Sequence, residues 1–231
     1  ALEKLLQWME TEETPPRIRV SSLEPLDFSE GLIFHLSQSK KICPHLHLPI
    51  QSADDEILKS MKRGYDRHFL DDLLETLHRK IPALSMGVDV IIGFPGETEE
   101  RFKRTYQWVE SNPISYLHVF PFSKRKGTAA AQLSQQIDPR VIRDRAERLR
   151  ELGKRKRRSF YQQFLHQTLD VLVEDRREKG SGRWRGLSRN YIPVFLLDSV
   201  GSELANQEIK IRVTDWNDRG LWGEWVEDAN G

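Results

Sequence analysis

The spacing of apolar positions changes once along this chain, and the change divides it into two regions. In the first region, four short apolar stretches have the length of buried parallel strands, at residues 17–22, 45–50, 87–92 and 116–120. Helical patterns lie before and between them. Residues 1–12 read as an opening helix, Asp66 can cap a helix over residues 66–80, and Thr98 can cap another that Pro113 ends. Strands that alternate with helices predict an α/β fold with a parallel sheet.

The second region begins at Asp138 and Pro139, which form the capping signal of a long helix reaching to about residue 163. Five short strand-like runs follow, separated by Gly, Asn and Asp turns, at residues 168–174, 184–188, 191–197, 208–214 and 221–226. They leave no room for further helices and predict a small antiparallel β-barrel. We therefore expect residues 1–161 to form the α/β part with the long helix, and residues 162–231 to form the barrel.

Charge is balanced overall, with 36 Lys and Arg against 35 Asp and Glu, but it is concentrated in the long helix. Residues 139–158 hold ten basic and three acidic residues, a local charge of +7. A solvated helix with internal salt bridges and a surface for a polyanion both fit this pattern. No apolar run approaches the roughly 20 residues of a membrane helix, and no secretion signal is present, so we expect a cytoplasmic protein without membrane contact.

The 231 residues include one cysteine, Cys43, which excludes an internal disulfide framework and any multi-cysteine metal site built from this chain alone. His45 and His47 share one face of a predicted strand. No third ligand is close to them in sequence, so we expect core or supporting histidines and no metal site in this chain.

Small polar residues follow each predicted strand, where parallel sheets bind ligands. Asp89 interrupts an otherwise apolar strand, and a buried carboxylate must be paired or hydrogen-bonded. A structural role and a role in binding ligand hydroxyls are both open. Residues 93–98 superficially resemble a phosphate loop, but Glu97, Glu99 and Glu100 put negative charge where a phosphate would lie.

Several motifs together resemble one family. Residues 45–52 (HLHLPIQS), 58–63 (LKSMKR), 89–98 (DVIIGFPGET) and 118–123 (HVFPFS) resemble the methylthiotransferase branch of the radical S-adenosylmethionine (SAM) enzymes. Residues 17–25 (RIRVSSLEP) resemble the enzymes that act on N6-threonylcarbamoyladenosine 37 of tRNA, and residues 160–174 and 187–194 resemble their TRAM domain, an RNA-binding β-barrel. Ala53 and Lys126 depart locally from the family pattern.

The resemblance implies a partial (β/α) radical SAM barrel of about four parallel strands, followed by a TRAM-like barrel. The family binds a [4Fe–4S] cluster through three cysteines in a CxxxCxxC loop, which these residues do not contain. We therefore expect the chain to correspond to the C-terminal part of such an enzyme, without the N-terminal domain and cluster loop. By itself it should be inactive.

Site residues are also implied by the resemblance, and no catalytic residue is among them. The SAM pocket would include Ser22, Gln51, Arg63, Asp89 and the backbone of Val119 and Phe120, with Asp89 at the ribose. Further pocket residues would be Gly93, Glu97, His118 and Arg125. RNA contacts would come from Arg155, Lys156, Arg157, Arg158 and Tyr191.

The implied activity is methylthiolation at C2 of the modified adenosine, with SAM as cofactor. The implied partners are the tRNA anticodon arm and an electron donor of the flavodoxin or ferredoxin type. Two alternatives remain open at this stage. One is a non-catalytic RNA-binding relative, and the other is a radical SAM enzyme acting on a protein or a porphyrin.

Overall fold

The fold was analysed in a computed structural model that describes residues 2–11, 13–197 and 202–226. Its helices are α1 (Leu2–Thr11), α2 (Glu30–Gln38), α3 (Asp55–Ser60), α4 (Arg67–Lys80), α5 (Glu99–Ser111), α6 (Ala129–Gln132) and α7 (Pro139–Gln162). Its strands are β1 (His45–Gln51), β2 (Ser85–Ile92), β3 (Tyr116–Pro121), β4 (Thr168–Arg177), β5 (Trp184–Ser188), β6 (Pro193–Leu196), β7 (Glu208–Asn217) and β8 (Gly220–Val226). Short 3-10 helices occupy Pro25–Asp27 and Ser202–Leu204.

The first region is a three-stranded parallel sheet in the order β1-β2-β3, with helices packed on one face. Successive strand residues point to opposite faces, so the two faces differ in composition. Apolar side chains of the covered face join those of the helices in one core, for example Leu48, Val88 and Val90 with Leu74 of α4 and Trp108 of α5. The opposite face carries the polar residues described below.

Helix starts agree with the capping residues that the sequence indicates. Asp66 accepts a hydrogen bond from the Phe69 amide, Thr98 from the Arg101 amide and Asp138 from the Arg140 amide. These contacts satisfy amides that have no partner within the first turn. The capping predictions for α4, α5 and α7 are therefore confirmed.

The first predicted strand is less regular than expected. Residues 17–22 run parallel to the neighbouring chain and pair with it at two isolated bridges, Ile18 with Ile42 and Ser22 with His47. The Leu23 amide adds a hydrogen bond to the His47 carbonyl at 3.0 Å. The segment thus occupies the place of a fourth strand beside β1 without forming a continuous ladder. Arg17, at its start, extends to the second region.

The second region is a closed five-stranded barrel in the order β4-β5-β6-β8-β7, as the strand pattern predicts. All neighbours are antiparallel except β6 and β8, which pair in parallel. Phe160 and Tyr161 from the last turn of α7 pack into the barrel core with Val171, Val213 and Leu221. The long helix is therefore shared between the two regions, and the division after residue 161 stays a prediction.

Side chains reach across the junction between sheet and barrel and end on backbone carbonyls. The Arg17 guanidinium donates to the carbonyls of Leu187 and Ser188 at 3.1 and 2.7 Å. In the other direction, Arg189 donates to the carbonyl of Lys40 at 2.5 Å. These charge-assisted bonds, of which the two from Arg17 are partly buried, fix the barrel against the N-terminal ends of the strands.

A buried ion pair holds α7 against the loop that follows β2. Arg145 Nη1 donates to Glu97 Oε1 at 3.0 Å and to the Glu97 carbonyl at 2.7 Å, and the Gly93 amide donates to the same Oε1 at 3.0 Å. Both side chains are nearly inaccessible. Burial raises the pKa of the Glu97 carboxyl to about 7, although Gly93 and Arg145 both favour its ionised form.

Among the described residues, no helix combines the length and the apolar character that a membrane span requires.

The ion pair gives a first prediction. We expect Arg145→Met to lower the free energy of unfolding by about 3–5 kcal/mol at pH 8, because it leaves a buried carboxylate without its counter-charge. The matched control is Arg150→Met, at an exposed position of the same helix, and urea unfolding measures both.

The loss should shrink as the pH falls from 8 to 5.5. Burial already raises the pKa of Glu97 to about 7 in the unaltered chain, and removal of Arg145, which lowers this pKa, should raise it further. A carboxyl with the higher folded-state pKa loses more stability as the pH rises, so the difference between variant and unaltered chain should be large at pH 8 and small at pH 5.5. An equal loss at both pH values would contradict the assignment of a buried charge at Glu97.

Candidate functional site

The carboxyl ends of the three parallel strands border a cavity of about 460 Å³, called the strand-end cavity below. Its walls come from β1, β2, β3 and the segment that follows β3. The lining residues are Gln51, Asp89, Ile91, Phe120, Pro121, Phe122, Ser123, Arg125, Thr128 and Ala130. Ligands of open parallel sheets bind at this edge, so the cavity is the main candidate site.

Gln51 enters the cavity because β1 ends irregularly. The register between β1 and β2 shifts between Leu48 and Gln51, and Gln51 has a φ of 66°. Its side-chain amide donates to the Pro49 carbonyl at 3.1 Å. A non-glycine residue in this left-handed region is uncommon and is often found at functional positions.

Asp89 lies at the centre of a hydrogen-bonded row on the open face of the sheet. Its Oδ1 is 2.8 Å from His47 Nε2 and 3.2 Å from His118 Nδ1. His47 Nδ1 is in turn 2.8 Å from Ser22 Oγ. The row Ser22–His47–Asp89–His118 thus crosses four neighbouring segments. Burial lowers the pKa of His47 against the opposing effect of Asp89.

A second polar group lies closer to the amino-terminal ends of the strands. His45 Nε2 is 2.9 Å from the Tyr116 hydroxyl, and Arg19 Nε is 3.3 Å from His45 Nδ1. Burial, followed by the charge of Arg19, lowers the pKa of His45 to about 4, and burial raises the pKa of Tyr116 to about 12. Both groups are therefore uncharged near neutral pH.

Four of the residues proposed for the pocket line the strand-end cavity, namely Gln51, Asp89, Phe120 and Arg125. Ser22 and His118 join them through the hydrogen-bonded row. Arg63 pairs with Glu24 at 2.8 Å, and the Val119 side chain packs against the helix-covered core. These two do not line the cavity with their side chains.

Gly93 and Glu97 lie in the loop after β2 that the buried ion pair with Arg145 holds against α7. Gly93 has a φ of 81°, and a Cβ at this position would lie 2.4 Å from Cγ1 of Ile142. Glu97 points to Arg145 and away from solvent. Both residues therefore hold the loop after β2 in position and do not line the strand-end cavity.

Most basic residues of α7 have internal partners. Arg155 contacts Tyr106 and Glu110, Lys156 donates to the carbonyls of Glu110 and Asn112, and Arg158 pairs with Asp218. These partners lie on other elements, and the pairs within the helix are Arg148 with Asp144 and Lys154 with Glu151. Contacts of both kinds therefore engage much of the charge of α7. Burial lowers the pKa of Lys156.

Arg157 and Tyr191 lie together at the junction of sheet and barrel. They border a junction cavity of about 360 Å³ whose other lining residues include Arg19, Tyr116 and Arg219. The Arg19 guanidinium carbon is 4.5 Å from the Tyr191 ring centroid. A further cavity of about 530 Å³, on the barrel, is lined by Arg176, Arg177, Glu178, Lys179, Arg185, Pro193, Phe195 and Arg219.

Sequence reasoning did not bring His47 into the site, although the signal was present. His47 and Asp89 fall on the same face of adjacent strands by the twofold period, and Ser22 comes at the end of the segment beside them. Phe122, Ser123 and Thr128 follow β3 in an irregular segment, whose path no periodic pattern predicts.

Chemically, the strand-end cavity combines an open carboxylate, an amide, an exposed aromatic ring and a guanidinium. A carboxylate accepts hydrogen bonds from vicinal hydroxyls, and an aromatic ring offers a face for a base. This donor set suits a nucleoside-like ligand that also carries a carboxylate.

Comparison with known proteins places this geometry in context. Residues 6–109 match the model of the Radical SAM superfamily. The chain is 36% identical over 213 residues to threonylcarbamoyladenosine tRNA methylthiotransferase of Bacillus subtilis, covering 91% of this chain and 47% of that protein. It is 37% identical over 213 residues to tRNA-2-methylthio-N(6)-dimethylallyladenosine synthase of Methylacidiphilum infernorum, covering 86% and 46%. The chain thus spans about half the length of these curated relatives.

A similar fold occurs in coproporphyrinogen III oxidase of Escherichia coli, a radical SAM enzyme. The TM-score is 0.56 at 13% identity, covering 99% of this chain and 56% of that one. At this identity, the likeness concerns the fold alone.

Gly93 gives a second prediction. We expect Gly93→Ala to destabilise the protein by about 1–3 kcal/mol more than Gly127→Ala, because it adds a clash with Ile142 to the strain of a positive φ. Gly127 is a matched control, with a φ of 87° and nothing within 4 Å of an added Cβ. Thermal and urea unfolding would measure the difference, and equal losses would contradict the close packing of Ile142.

Proposed function

This chain belongs to the radical SAM tRNA methylthiotransferase family, and on that premise we propose that it serves in methylthiolation at C2 of N6-threonylcarbamoyladenosine 37 of tRNA. The observation that carries the choice of substrate is the segment around Ser22, RIRVSSLEP, at residues 17–25. Relatives named for the threonylcarbamoyl and the dimethylallyl nucleosides have nearly equal overall identity, so overall similarity does not separate the two.

SAM fits the donor set of the strand-end cavity. We assign Asp89 to the ribose hydroxyls, Gln51 to further polar groups, the Phe120 ring and backbone to the adenine, and Arg125 to the carboxylate. When bound, SAM would supply the radical and the methyl group for the reaction.

The chain's own residues position and protect this ligand. His47 and His118 both contact Asp89 Oδ1, which fixes the carboxylate and directs its second oxygen to a ligand hydroxyl. The Arg145–Glu97 pair holds the loop after β2, and Phe94 and Phe122 pack edge to face with ring centroids 5.5 Å apart beside the cavity. These contacts keep the cavity in place before the ligand arrives.

A [4Fe–4S] cluster does not fit the residues of this chain. Such a cluster needs three thiolates here, and the one cysteine, Cys43, is buried just before β1, at the opposite end of the strand from Gln51. The ligands of a cluster that cleaves SAM must therefore come from residues other than these 231. The electron donor of flavodoxin or ferredoxin type would act on that cluster.

We assign RNA binding to the junction and barrel cavities, and we place the reaction in the cytoplasm, where tRNA is modified. The barrel cavity brings Arg176, Arg177, Lys179 and Arg185 close together, with Glu178 also in its lining. Arg176 and Arg185 both pair with Glu174. Clustered guanidinium groups bind phosphates through charge and hydrogen bonds. In the junction cavity, Tyr191 gives an unpaired base a ring to stack on.

Nucleoside analysis tests the proposed activity. In the source organism, deletion of the complete reading frame that encodes this chain should remove 2-methylthio-N6-threonylcarbamoyladenosine from digested tRNA and leave the unmethylthiolated nucleoside in its place. Mass spectrometry of the digest measures both. Complementation with Gln51→Ala should fail, whereas Gln38→Ala, an exposed position at the end of α2, should restore the nucleoside.

If the deletion instead removes 2-methylthio-N6-dimethylallyladenosine, the substrate is the dimethylallyl nucleoside of the same family. Unchanged levels of both nucleosides would contradict the enzymatic proposal and favour the non-catalytic RNA-binding alternative.

RNA binding gives a separate prediction. We expect Arg157→Ala to weaken binding of a tRNA anticodon stem–loop and to reduce the slope of log K against log salt by about one, as loss of a phosphate contact does. Arg79→Ala is the control, because this arginine is exposed on α4 and pairs with Glu75. Filter binding over a salt series measures both slopes, and an unchanged slope for Arg157→Ala would oppose its assignment.

A further inference from the structure

Three potential metal ligands converge on the open face of the sheet. His47, Asp89 and His118 each offer one ligand atom, and these atoms all lie within 4.8 Å of one another. Each residue belongs to a different strand of the same sheet, and Asp89 and His118 are direct partners in the parallel register. Ligands on paired strands are held more rigidly than ligands on loops.

The distances from Asp89 Oδ1 to the two histidine nitrogens are close to those between neighbouring ligand atoms of a bound metal ion. His47 Nε2 is 2.8 Å and His118 Nδ1 is 3.2 Å from Asp89 Oδ1. Ligand bonds of ~2.0–2.1 Å in a tetrahedral site place neighbouring ligand atoms ~3.3 Å apart. The two histidine nitrogens lie within 4.8 Å of each other, so side-chain rotations that bring them closer would place an ion between the three atoms.

The positions of the protons on the two imidazoles also permit a metal ion to replace the hydrogen bonds to Asp89. Each neutral imidazole carries one proton, which can sit on either nitrogen. If the His47 proton moves to Nδ1, it can be donated to Ser22 Oγ at 2.8 Å, and Nε2 is freed as a ligand. If the His118 proton moves to Nε2, Nδ1 is freed as a ligand, and half of this side chain is exposed to water. Two proton positions on the rings change, and no proton need leave the protein.

Ser22 then has the position of an outer partner of a metal-bound histidine. Such partners fix the ring and its tautomer, and their loss costs about 10–100-fold in metal affinity. The exposed side of His118 leaves room for water or a ligand atom on the ion. Two imidazoles and one carboxylate with open positions are a donor set for Zn²⁺ or Fe²⁺ and are poorly suited to Mg²⁺.

We propose that His47, Asp89 and His118 form a binding site for one divalent transition-metal ion, with Ser22 as the outer partner of His47. The site lies beside the strand-end cavity and shares Asp89 with it. It involves no cysteine, and metal binding does not depend on the proposed RNA modification.

Cobalt titration of the untagged 231-residue chain, without SAM or RNA, tests the site. Co²⁺ reports its own coordination through visible absorption, and calorimetry with Zn²⁺ gives the stoichiometry and affinity. We expect one ion per chain and no comparable binding of Mg²⁺. Ser22→Ala should lower the Zn²⁺ affinity by about 10–100-fold, and His118→Ala should lower it further.

His68→Ala is the matched control, because His68 forms an exposed pair with Asp72 at 3.7 Å on α4. It should bind Co²⁺ as the unaltered chain does. Circular dichroism of each variant separates loss of the site from loss of the fold, and the exposed position of His118 makes that substitution the decisive one.

Absence of Co²⁺ binding by the unaltered, folded chain would overturn the proposal, and so would equal affinity in folded His118→Ala. Failure of the nucleoside experiment with intact metal binding would remove the RNA-modifying function and leave this site standing. Success of the nucleoside experiment without metal binding would remove the metal site and leave the RNA-modifying function.

Discussion

The two faces of the three-stranded sheet determine where the apolar core and the polar candidate site lie. Strand geometry sends alternate side chains to opposite faces, so Leu48, Val88 and Val90 pack beneath the helices. The same alternation puts His47, Asp89 and His118 on the opposite face, beside the strand-end cavity. Burial of the apolar face provides the stabilising free energy, and the polar face is therefore free to bind ligands.

Helix α7 connects this sheet to the barrel through contacts of two kinds. Arg145 inserts into the loop after β2 and pairs with buried Glu97, whereas Phe160 and Tyr161 at the far end pack into the barrel core. A displacement of the helix would disturb both regions. The helix therefore connects the sheet to the barrel, together with the contacts of Arg17 and Arg189 across the junction.

Much of the fold could be predicted because its signals are local. The caps Asp66, Thr98 and Asp138 begin helices where expected, and turn residues separate the barrel strands. The strand predicted at residues 17–22 is not continuous, since its pairing with β1 is intermittent and Arg17 bonds to the barrel. The net charge of α7 fits both internal salt bridges and a surface for a polyanion, but Arg155, Lys156 and Arg158 each have a partner distant in sequence.

The sequence by itself determined β1–β8, the helices α1, α4, α5 and α7, the strand-end position of the cavity and the family, because periodicity, capping and motif spacing are properties of neighbouring residues. Helices α2, α3 and α6 are outside these predictions. Only the tertiary structure decided which polar groups meet. Ser22, His47, Asp89 and His118 come from four segments, and their hydrogen-bonded row exists because parallel pairing brings those segments into register. Likewise, Glu97 and Arg145 are joined by packing of α7 on the sheet, a long-range contact that no local pattern encodes.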